Sequence, residues 1–132
     1  MSEYADVIAH YLSEFDEGGE ENAFHCLIEM SHDALPELEQ AYHTSVKSER
    51  RLFLLNVIWE HRQQSTIPVL QAALYDQEPE IWQMAMDGLV ALASQSSLRA
   101  LESARTRQFT SSRDRQCFQQ WLEEAIEQCR LE

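Results

Sequence analysis

Ser65-Thr-Ile-Pro-Val-Leu-Gln-Ala-Ala73 is the stretch on which the reading of this chain turns, because the same short segment occurs on either side of it. Asp33-Ala-Leu-Pro-Glu-Leu-Glu-Gln-Ala41 lies 32 residues earlier and Ser96-Ser-Leu-Arg-Ala-Leu-Glu-Ser-Ala104 lies 31 residues later. Each opens on Asp or Ser, whose short side-chain oxygen can accept a free amide of a first helical turn. Two carry proline within that turn, where no intrahelical N–H is lost. The apolar positions coincide as well: Leu35 with Ile67 and Leu98, Leu38 with Leu70 and Leu101, Ala41 with Ala73 and Ala104. A start signal and a buried stripe recurring together every thirty-odd residues is the pattern of stacked helical hairpins.

Working outward, each of these helices is preceded by another amphipathic segment, at 22–30, 49–62 and 79–93. Before the first pair, Tyr4, Val7, Ile8, Tyr11, Leu12 and Phe15 gather on one helical face. That helix is expected to stop at Gly18-Gly19, since glycine readily takes the left-handed conformation of a helix end. After the last pair, the spacing of Cys117, Phe118, Trp121, Leu122, Ala125 and Ile126 predicts a helix over 112–128 that caps the stack. Nowhere does a period-two alternation run for the length of a strand.

The best-formed pair, Asp76-Gln-Glu-Pro-Glu-Ile-Trp-Gln-Met-Ala-Met-Asp-Gly-Leu-Val-Ala-Leu-Ala93 followed by Ser96-Ser-Leu-Arg-Ala-Leu101, resembles the HEAT repeat family in its short form, related to the phycobilisome lyase HEAT-like repeats. Trp82 stands where that pattern usually has arginine, and Gly88 precedes Leu89 instead of following it. The resemblance covers roughly 22–108. It implies an all-α fold, a right-handed α-solenoid of about three HEAT-like hairpins in a single domain over 1–132, with an N-terminal helix over 1–17 and a capping helix over 111–130. It implies little about chemistry, because solenoids of this kind serve many partners.

Composition narrows the function by exclusion. The chain has 132 residues, 44% of them hydrophobic, enough for one domain-sized core. No apolar run approaches the roughly 18 residues of a membrane span, and the start Met1-Ser-Glu-Tyr-Ala-Asp6 is acidic where a secretory signal is basic, so a cytoplasmic, bacterial protein is expected. Leu131-Glu132 resembles the remnant that precedes an affinity tag and is left out of the functional reading. Cys26, Cys117 and Cys129 show no C-x-x-C pairing. On one helix Cys117 and Cys129 would stand about 18 Å apart, too far for a disulfide. His25, Cys26, His32 and Asp33 come closest to a metal cluster but lack any ligand spacing such as H-E-x-x-H, and Cys26 fits the apolar stripe as a buried thiol. No phosphate loop follows Gly18-Gly19 and no nucleophile signature is present, so neither an enzyme nor a cofactor or metal is expected.

Charge is the most informative feature left. The net charge is -13, and residues 1–46 hold eleven acids (Glu3, Asp6, Glu14, Asp16, Glu17, Glu20, Glu21, Glu29, Asp33, Glu37, Glu39) with no lysine or arginine before Lys47. The rest is nearly balanced, with twelve acids against ten bases. Such a face steers a basic protein toward it and repels nucleic acid, whose affinity comes from Lys and Arg. The sequence therefore points to a non-catalytic protein-binding module, an immunity or inhibitor protein that neutralises a basic toxin or enzyme. Its expected contacts are Glu14, Asp16, Glu17, Glu20, Glu21, Glu37 and Glu39, with Tyr11 and Tyr42 as aromatic anchors if exposed. A secondary surface is expected at Trp82 with Arg105, Arg107, Arg113 and Arg115. The alternatives are a scaffold or assembly adaptor working through that second surface, self-association of the acidic end with the arginine-rich joint, and a phycobilisome-lyase-like subunit. No membrane partner is expected.

Overall fold

The structure is a computed structural model that describes residues 3–131; Met1, Ser2 and Glu132 lie outside it, and with them part of the expectations for the two ends. Among the described residues there are eight α-helices and no strand, so the fold is all-α. None of the helices is long and apolar enough to cross a membrane. The chain forms two compact units, residues 1–61 and 62–132.

The first unit holds α1 (Glu3–Asp16), α2 (Glu20–Ile28), α3 (Leu35–Thr44) and α4 (Ser48–Glu60). Here α1 packs on α2 and α3, while α4 packs on the same two helices. The break at the paired glycines is a Schellman end: Gly18 has φ +97°, its N–H donates to the Phe15 carbonyl at 3.1 Å, and the Gly19 N–H donates to the Glu14 carbonyl at 2.8 Å. A methyl group on Gly19 would come within 2.7 Å of Glu14 Cγ, so both glycines are needed, for different reasons. Ile8 with Leu12 on α1 and Ala23 with Leu27 on α2 are buried, and α4, between α2 and α3, buries Phe53, Leu54, Leu55, Val57 and Ile58. A helix flanked by two neighbours needs so wide an apolar face.

The second unit holds α5 (Ile67–Ala73), α6 (Pro79–Leu92), α7 (Gln95–Ser103) and α8 (Ser112–Leu131). In it α6 packs on α5, α7 and α8, and α7 packs on α5 and α8. The repeat positions identified from the sequence lie largely in the two cores. Leu38, Leu70 and Leu101 are fully buried, as are Ala73 and Ala104 almost completely, whereas Ala41 and Leu98 are half-buried.

Three local expectations change. The segments at Asp33 and Ser65 start as 3-10 turns, His32–Ala34 and Gln64–Thr66; the first is capped from upstream, and the second has no side-chain cap. Ser31 Oγ accepts the Asp33 amide at 3.1 Å, and before α7 it is Ser94, not Ser96, that accepts the Ser97 amide. Cys26 is half-buried, its thiol 3.8 Å from Asn22 Oδ1, instead of lying in the core. In α8 the stripe is narrower than its spacing suggests: Phe118, Leu122, Ala125, Ile126 and Cys129 are buried, but Cys117 and Trp121 are exposed.

Candidate functional site

The acidic residues of the first unit fall into two groups. Some are engaged: Asp16 pairs with Arg50 across from α4, and Glu14 accepts a hydrogen bond from the Asn22 amide and lies 3.8 Å from His10 Nε2. The remainder of the expected contacts have no lysine or arginine partner among the described residues. Glu17, Glu20 and Glu21 are exposed where α1 passes into α2. Glu37 and Glu39 are half-buried on α3, and partial burial raises the Glu39 carboxyl above its ordinary value, opposed by His43.

What gives the α1–α2 corner shape is a cleft of about 460 Å³ lined by Gly18, Glu20, Glu21, Phe24 and Asn56. Phe24 stands four residues after Glu20 and three after Glu21, so all three share a helical face. Asn56 comes from α4. Beneath the cleft the Phe24 ring meets Phe53 edge-on at 6.3 Å, and Phe53 stacks on Phe15 at 4.3 Å, which braces the apolar floor. Two carboxylates at an aromatic surface suit a cationic side chain, which the acids attract and the ring face accepts. Phe24 and Asn56 were not expected from the sequence: Phe24 carries no charge to mark it, and Asn56 comes from a distant helix.

Tyr42 is 4% exposed, held in the core with Arg51 over its ring at 5.4 Å, and so is not an aromatic anchor for a partner. Tyr11 is half-buried; its hydroxyl is pushed up chiefly by a hydrogen bond with Cys26 and by the Coulombic effect of that group.

The second expected surface is rearranged more strongly. Trp82 is 4% exposed, with Phe118 edge-on at 5.0 Å, because α6 has helices on several sides. The exposed tryptophan is its neighbour Trp121, 42% exposed and 6.5 Å from the Trp82 ring. Arg105 forms a two-pronged pair with Glu123, both contacts 2.9 Å, which holds that carboxyl below its ordinary value. Arg107 donates to the Leu74 carbonyl at 2.7 Å and the Asp76 carbonyl at 3.0 Å while lying over Phe109 and Phe118. These two arginines tie the second unit together. Arg113 and Arg115 are exposed at the start of α8, near a cleft of about 420 Å³ lined by residues that include Trp82, Arg107, Phe109 and Cys117.

Of the histidines near Cys26, His25 and His32 do not come together. His32 instead meets His61, the two Nδ1 atoms 3.1 Å apart. Among the described residues no three His, Cys, Asp or Glu side chains are grouped to hold a metal ion. No family model, curated protein or solved structure matches the chain.

Proposed function

We propose that this chain is a non-catalytic binding module of HEAT-like hairpins, an immunity or inhibitor protein whose acidic first unit covers a basic protein. The reading rests on one observation above the rest: Glu20, Glu21 and Phe24 line one cleft at the α1–α2 corner, and neither acid is neutralised by a basic side chain among the described residues. Unrelieved like charge is a cost that a cationic partner removes on binding, and its long-range field raises the rate of encounter. A lysine or arginine of the partner entering the cleft would find charge and aromatic surface together, the combination that makes a binding hot spot. The recurrence of turn, proline and helix at 32–44 and 64–73 supports the hairpin-repeat reading.

The test is to recover the partner from cells of the source organism and to measure its association with the wild-type chain and with a Glu17→Lys, Glu20→Lys, Glu21→Lys variant over a range of salt. A basic partner whose binding weakens steeply with salt and is lost in the variant is expected, since screening shortens to about 3 Å at 1 M. Binding indifferent to both would refute the reading. Trp121, exposed and 6.5 Å from the ring of Trp82, which lines the second cleft, favours an adaptor as the second reading. In the same experiment that reading requires Trp121→Ala, and not the charge reversal, to abolish binding.

A further inference from the structure

His61 ends the first unit just past α4 and is 4% exposed, an unusual position for a group that ionises near neutrality. Its ring is read from both sides. Nε2 lies 3.1 Å from the Leu27 carbonyl at the end of α2. A carbonyl only accepts, so this nitrogen carries the hydrogen, and in the neutral ring Nδ1 is left with a lone pair. That lone pair faces His32 Nδ1 at 3.1 Å, with the two rings edge to face at 5.3 Å, so His32 must be the donor. The tautomer of the buried ring thus fixes that of the exposed one.

This arrangement counts protons. Both rings can be neutral, with one hydrogen between them. The contact needs His61 Nδ1 as an acceptor, and a proton added there cannot be accommodated: it would place N–H against N–H at 3.1 Å, with a charge on a buried ring. We infer that the His32–His61 contact is a proton-operated latch, which ties the turn His32–Ala34 to the carboxyl ends of α2 and α4 near neutral pH and releases it in mild acid. Groups acting on His61 include the Leu27 carbonyl of α2 and the His32 imidazole of the turn. Burial lowers its pKa most, the carbonyl opposes this, and His32 lowers it further.

The sign of the effect follows. Unfolded, His61 titrates near its ordinary 6.5; folded, it titrates lower. Below about pH 6.5 the unfolded chain therefore binds more protons, and stability, complete above that value, falls as pH drops toward the folded pKa.

The test uses the whole chain and two readouts. In proton NMR of the wild type, His61 should keep its neutral-form resonance down to the pH at which the amides of Ala34 and Leu35 lose exchange protection, after correction for intrinsic rates. In urea unfolding between pH 7.5 and 5, the wild type should lose about tenfold in its folding equilibrium, the effect of replacing one hydrogen bond with an unsatisfied buried donor. His61→Gln, which can still donate to Leu27 but does not titrate, should lose much less, and His32→Ala should fall between. A His61 that takes up a proton above pH 6 with the turn still protected would overturn the latch, as would a Gln variant with the pH dependence of the wild type. Should His61→Gln not fold, the NMR titration decides alone.

Discussion

Arg107 offers the most direct test of how the second unit is held. Its guanidinium gives one N–H to the Leu74 carbonyl and another to the Asp76 carbonyl, groups just past α5 that the helix itself leaves without donors. The same plane lies 4.4 Å from the Phe109 ring centre and 4.9 Å from that of Phe118. Arg107→Met keeps the aliphatic stem and removes the fork. A hydrogen bond from a charged donor contributes about 1.5–3 kcal/mol, but the site is only half-buried and water can replace part of each, so about 1 kcal/mol per bond is retained. The two ring contacts add about 0.5 kcal/mol each at this exposure. The expected loss is therefore about 3 kcal/mol, or a urea midpoint lowered by about 1.5–2 M at a typical slope for a small domain. Arg107→Lys keeps the charge, yet one ammonium does not reproduce a planar two-pronged donor, and it should recover less than half of that loss. Tryptophan fluorescence follows the transition, since Trp82 and Trp121 lie in this unit. A Met variant within about 0.5 kcal/mol of wild type, or a Lys variant indistinguishable from it, would show that the fork is a surface ornament.

Two backbone predictions accompany it. At Gly18, with φ +97° and open space around a new Cβ, Gly18→Ala should cost about 1–2 kcal/mol through backbone conformation alone, measured as a fall in thermal midpoint without loss of helical circular dichroism. At Ala93, which closes α6 with φ 52°, the reverse holds: Ala93→Gly should stabilise by up to about 1 kcal/mol, and a destabilised variant would mean that the methyl group's packing outweighs its strain.

Helices were legible because their signals are local. The apolar spacing and the two glycines placed the end of α1 at 17, one residue past its observed end at Asp16, and Pro79 marked the start of α6. The caps lie two residues upstream of the expected positions, at Ser31 because a 3-10 turn precedes α3 and at Ser94 because α7 already starts at Gln95. Burial was harder to read. Trp82 and Trp121 occupy comparable places in apolar helices, but α6 is enclosed by α5, α7 and α8, while α8 packs on α6 and α7 and leaves more of its circumference outside. How many neighbours a helix has is a tertiary fact, and exposure follows it. The same holds for the candidate sites: Asn56 and His61 reach their partners from 32 and 29 residues away or more, with no motif to announce them.

Charge distribution, by contrast, was fully visible in the sequence but changed meaning in three dimensions. The eleven acids before Lys47 look like one uniform field, yet Asp16 is held by Arg50 and Glu14 by Asn22, so those two brace the first unit. Three of the six arginines from Arg99 onward are spent in the same way, on Glu123, Glu102 and the carbonyls after α5. An interaction surface should be sought where charge is left over after such internal pairing. That criterion separates Glu17, Glu20 and Glu21 from the acids that surround them. It also explains why reversing those three should weaken binding with little effect on folding, whereas reversing Asp16 should disturb the fold first, because it would set a cation against Arg50.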